Sequence, residues 1–121
     1  MRYMTFIRSD PATMASAPPQ ALMEAMGGFI QEGFASGTLV DTGGLLDRGA
    51  RVRLRGGRIS VTDGPYAEAK EIVGGYAVLE CGTQDEAVAS AMRLMELHRE
   101  HWPGWEGECE VRQMQQVPAP A

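Results

Sequence analysis

The chain has 121 residues, of which 44% are hydrophobic and 22% charged, so intrinsic disorder is excluded as the starting point. A formal net charge of −5 excludes a general nucleic-acid binder, which needs a positive footprint to release phosphate counterions. No run of 18 or more apolar residues is present and the apolar start of MRYMTFIRSD is too short for a signal-peptide core. The expectation is therefore a cytoplasmic, non-membrane protein of one domain over 1–116, followed by a flexible tail at 117–121.

In chain order, Tyr3 to Ile7 reads as a first strand, because its β-branched and aromatic residues suit a pleated, buried surface. Ser9-Asp10-Pro11 ends it. A loop containing Pro18-Pro19 opens a helix over Gln20–Ser36, with Leu22, Met26, Phe29, Ile30 and Phe34 at helical spacing and Gly37 as a left-handed stop. Gly27 and Gly28 weaken that helix, and close packing on a sheet is the expected reason for them. Thr38 to Leu46 is a second strand, with a bulge or bend expected at Gly43-Gly44.

The clearest local pattern is Arg51 to Asp63. Alternation puts Val52, Leu54, Ile59 and Val61 on one face and arginines on the other, and Gly56-Gly57 supplies a two-residue hairpin turn. Arg48, Arg51, Arg53, Arg55 and Arg58 are five of the eleven basic residues. No aromatic residues interleave with them for base stacking, so a solvated face or an anion-attracting rim is the expected use. Val73 to Cys81 is nearly all apolar and reads as a central strand. Thr83 and Glu86 form a capping box for a helix reaching about Trp102, with Ala87, Val88, Ala91, Leu94, Met95, His98 and Trp102 on one side. Pro103-Gly104 stops it, and Glu108 to Met114 alternates as a last strand.

The order β-α-β-hairpin-β-α-β predicts an α+β fold: a ferredoxin-like split βαβ with an inserted β-hairpin. Two helices cover one face of such a sheet. The other stays bare, and homodimerisation through it is the natural consequence. The topology also sets Cys81 and Cys109 at opposite ends of strands flanking the first, so they read as packing residues and neither as a disulfide nor as a zinc site.

Val61-Thr-Asp-Gly-Pro-Tyr-Ala-Glu-Ala-Lys-Glu-Ile-Val-Gly-Gly-Tyr76 resembles the signature of the YCII-related, DGPF-motif family, with Tyr66 where that family usually has Phe. The likeness extends to the first strand, the start of the second helix and Glu110-Val-Arg112. It implies a ferredoxin-like fold paired into a dimeric α+β barrel. Relatives by fold include small isomerases, dehalogenating enzymes and monooxygenase-like proteins that take small aromatic or lactone compounds. The stretch from Leu94 to Glu108, with its extended, aromatic-rich helix end, departs from the shorter members.

Asp63 is the first catalytic candidate, as a carboxylate at a strand end able to act as a base or to bind a hydroxyl; equally, Asp before Gly-Pro bonds its own turn. Tyr66, Glu68 and Lys70 are the substrate-binding candidates, although a salt-bridged, solvated turn accounts for the charges as well. His98 is the second catalytic candidate and also fits a packed core histidine. His98 and His101 share helical spacing without a matched ligand set, so no metal is expected, and no phosphate loop or nucleotide fingerprint points to a cofactor. Trp102 and Trp105 could wall a pocket or cap the barrel end. The resulting expectation is a homodimer binding a small organic molecule in a cleft near the Asp63-Gly-Pro-Tyr66 loop, with cofactor-independent isomerase- or lyase-like chemistry as its enzymatic form. The alternative is a non-catalytic protein-interaction or regulatory module.

Overall fold

The computed structural model describes residues 1–10, 12–13, 16–64 and 72–118, with the backbone alone at Ile72. Its elements run β1 (Arg2–Ser9), α1 (Gln20–Ser36), β2 (Leu39–Gly44), β3 (Ala50–Arg55), β4 (Arg58–Asp63), β5 (Ile72–Glu80), α2 (Gln84–His101) and β6 (Glu108–Gln113). Four strands form an antiparallel sheet in the order β2-β5-β1-β6, and β3-β4 is a separate two-stranded sheet. This is the ferredoxin-like α+β arrangement with its inserted hairpin.

The register of β1 sorts the side chains. Tyr3 pairs with Leu79 and Gln113, Thr5 with Ala77 and Val111, and Ile7 with Gly75 and Cys109, on the face that meets the helices. Tyr3, Leu39, Leu79, Cys81 and Ala87 make a buried cluster, with Ile30, Ala77 and Val111 packed against it. Fully burying a leucine of this kind contributes about 1.5–3 kcal/mol, so Leu39 and Leu79 rank among the stronger contributors. β5 lies in the middle of the sheet, as its apolar run requires.

Local signals act where expected, with some corrections. Gly37 caps α1 at φ 79°, and its N–H donates to the Phe34 carbonyl. Gly56 and Gly57 both have positive φ, 56° and 76°, which is the tight-turn geometry that lets β3 and β4 pair in register. Thr83 Oγ1 accepts from the Glu86 N–H at 3.2 Å, but the Glu86 carboxylate closes the box on the Gly82 N–H at 2.9 Å, one residue before the cap. Gly27 and Gly28 do not pack on the sheet, since a Cβ at either would meet nothing within 4 Å. Gly33 does so instead: a Cβ there would lie 2.9 Å from Leu39 Cβ. The irregularity in β2 falls between Leu39 and Asp41, not at the glycine pair. Gly43 makes room for the ring of Tyr76, whose Cε1 a Cβ would approach to 2.9 Å.

The stripe on α2 divides in two. Of its residues Ala87, Ala91 and His98 are buried, whereas Val88 remains exposed; outside the stripe, Leu97 is buried and Met92 exposed. Cys81 follows β5 and Cys109 lies in β6 opposite Ile7, so the two thiols sit toward opposite ends of β1. Among the described residues no helix is long and apolar enough to cross a membrane.

Candidate functional site

Between α1 and the sheet lies a cavity of about 400 Å³, within the range of small-molecule sites. Met26, Phe29 and Ile30 wall it from α1, Ile7, Leu39, Ala77 and Leu79 from the strands, and Ala91 and Leu94 from α2. It exists because small residues (Gly33, Gly75, Ala77, Ser90 and Ala91) stand where longer side chains would fill the space between layers.

Polar groups enter this apolar space at defined points. Thr5 Oγ1 donates to the Ala77 carbonyl at 3.3 Å, and Thr42 Oγ1 to the Tyr76 carbonyl at 2.8 Å. Each hydroxyl has spent its proton on the sheet and keeps acceptor capacity. A ligand bonding to them must therefore bring its own donor, such as a hydroxyl or N–H. Glu32, Ser36 and Thr38 add polar groups from the end of α1 and the approach to β2, and Glu32 is the one carboxylate among the described lining residues.

The sheet face away from the helices carries a second array. Cross-strand pairing sets Gly43, Tyr76, Phe6 and Glu110 in one row and Asp41, Val78, Met4 and Arg112 in the next. The centre of both rows is apolar and the margins are charged. The Tyr76 hydroxyl spans Gly43 to donate to Asp41 Oδ2 at 3.0 Å, and this bond to a carboxylate raises the phenol pKa above its ordinary value. Arg8 and Glu110 form an ion pair at 3.7 Å on the same face.

A third feature is the open groove along α2. Trp102 and Trp105 wall it, so these tryptophans line a surface rather than only closing the fold. His98, 5% exposed, packs against Trp105 with ring centroids 4.5 Å apart and the planes tilted by 44°, and its Nδ1 lies 2.8 Å from the Leu94 carbonyl. A carbonyl only accepts, so Nδ1 carries the proton there. His101 approaches Glu100 of its own helix at 3.6 Å, and no cluster of three or more metal-ligating side chains occurs among the described residues. Cys109 lines the groove, and burial pushes its thiol pKa up.

The sequence-based candidates scatter over this framework. Asp63 closes β4 opposite Ala50, exposed and without a side-chain partner among the described residues. His98 is buried in the second helix. Neither lines the cavity or the groove, and the structure does not bring the two together there. Tyr66, Glu68 and Lys70 lie outside the described residues. Thr5, Thr42, Glu32 and the Asp41–Tyr76 pair were not singled out from sequence. A signal for Thr5 was available: it is the polar member of Tyr3-x-Thr5-x-Ile7, the alternate positions that face the core.

Fold and site together define a ferredoxin-like domain with a helix-sheet cavity and an uncovered sheet face. The chain belongs to the YCII-related domain family, whose model matches residues 1–98. The match stops before Trp102 and Trp105. No curated protein matches the chain.

Proposed function

We propose that the protein is a homodimer, closed through the open sheet face, in which the helix-sheet cavity of each subunit binds a small organic molecule. The observation that carries this reading is the 400 Å³ cavity, whose apolar walls are interrupted by the Thr5 and Thr42 hydroxyls, both donating to the sheet and left with acceptor capacity. A compact aromatic or lactone-sized ring bearing one hydroxyl or N–H meets those demands. Where a bound ligand is turned over, Glu32 is the carboxylate placed to take a proton, without a cofactor. The half-buried Met4, Phe6 and Tyr76 on the open face, with charges at the margin, support closure by a second subunit.

Asp63 gives a second reading. It is exposed and unpartnered among the described residues, at the entrance to the Gly-Pro-Tyr66 segment, so a ligand could instead be anchored at that loop. His98 serves the helix end by holding Trp105 in place.

A thermal-shift screen against small phenols, lactones and carboxylates separates the readings. Ligand at about 100 times its Kd adds roughly 2.7 kcal/mol of stability, which reads as a rise of several degrees in Tm. Ala77→Leu, which fills the cavity, is expected to fold and to lose that rise, while Asp63→Asn keeps it. Loss in Asp63→Asn with retention in Ala77→Leu would move the site to the loop. No response to any compound class would remove the small-molecule reading.

A further inference from the structure

The hairpin β3–β4 has one uncovered face. Val52 pairs with Val61 and Leu54 with Ile59, which puts four aliphatic side chains on one side, and all four are 64–74% exposed. A lone two-stranded hairpin is marginal in water, and a bare aliphatic face makes it more so. The hairpin needs a surface to lie on.

The groove along α2 has the complementary character. Its floor is apolar, from exposed Val88 and Met92 through Met95 to Trp102. Among the described residues, its margin carries Asp10, Glu96, Glu106 and Glu108 against the one base Arg99. The hairpin segment 48–58 holds five of the chain's eleven basic residues and none of its sixteen acidic ones, leaving the remainder with a net charge of −10. A basic arm with a greasy face and an acidic-rimmed greasy groove are therefore both carried by one chain, yet the hairpin in this chain leaves its own aliphatic face in solvent.

We propose that the β3–β4 hairpin of one protomer docks in the α2 groove of a second copy of this chain. The inference rests on the homodimer reading above and adds to it a second contact, the arm. Apolar burial supplies the attraction, and the opposed charges set orientation and exclude partners with a basic rim.

Ile59 and Met92 are 74% and 59% exposed, so cysteines at both should be tolerated by the fold. The Ile59→Cys/Met92→Cys protein, prepared as an equal mixture of ¹⁴N- and ¹⁵N-labelled chains with the native cysteines kept, is oxidised mildly. Disulfide-linked peptides are then read by mass spectrometry alongside light scattering. The proposal expects 59–92 bonds in hybrid-label pairs, most of the protein in a covalent species of twice the monomer mass, and at least a several-fold lower yield when Arg53→Glu and Arg55→Glu are added. A dimer by light scattering in which 59–92 bonds are absent, or join only like-labelled peptides, overturns the arm and leaves the sheet-face dimer standing. A monomer at all concentrations tested overturns both.

Discussion

Gly33 and Gly28 occupy the same helix and carry opposite predictions, because only one has a neighbour. Gly33 lets Leu39 approach α1, and an added Cβ would sit 2.9 Å from Leu39 Cβ, closer than two carbons tolerate. Gly28 faces open space, so it contributes only the backbone entropy that weakens helices. Gly28→Ala is expected to stabilise by about 1 kcal/mol, and Gly33→Ala to destabilise despite the same gain in propensity, both measured by chemical denaturation. The pair also shows what the sequence could convey at this scale. Both glycines break an apolar helical pattern identically, and which of them meets the sheet depends on the rotation of α1 over β2, set by contacts distant in sequence. Thr5 was more legible, because a polar residue at an inward position of an apolar strand is visible in the sequence itself. His98 was legible as a packed residue, but its tilted ring contact with Trp105 depends on the turn at Pro103-Gly104, which periodicity does not describe.

The secondary-structure elements follow their punctuation closely. α1 runs Gln20–Ser36, from the residue after Pro18-Pro19 to the residue before Gly37. α2 begins after Thr83, whose side chain satisfies an N–H that the helix leaves orphaned. Thr83→Ala is expected to lower stability by about 1 kcal/mol, with the loss seen as fraying of Gln84–Ala87 in amide exchange before the rest of the helix responds. Equal protection along α2 in that variant would mean that tertiary contacts, and not the cap, hold the first turn. The hairpin shows where element-level reading stops. Alternation correctly assigned its two faces, but it could not say whether either would be covered. Val52, Leu54, Ile59 and Val61 follow the pattern of a half-buried strand pair and stay in solvent within the protomer.

At the scale of the molecule, element order was enough to reach the topology. Crossover rules leave few ways to arrange β-α-β-hairpin-β-α-β, and the sheet order β2-β5-β1-β6 is the one with β1 between β5 and β6. The cavity was not legible in the same way. It arises from a deficit of volume shared by Gly33, Gly75, Ala77 and Ala91, residues unremarkable singly and contributed by three different elements. The charged loop after β4 drew attention because its residue types carry chemistry. The helix-sheet space is lined by residues that mostly do not. The most direct check is a titration of methyl-labelled protein with a phenol or lactone, followed by NMR. The account predicts saturable shifts confined to the Ile7, Ile30, Leu39, Ala77 and Leu79 methyls, with Val52, Leu54, Ile59 and Val61 unmoved. Shifts at the hairpin methyls with the cavity methyls silent would contradict it.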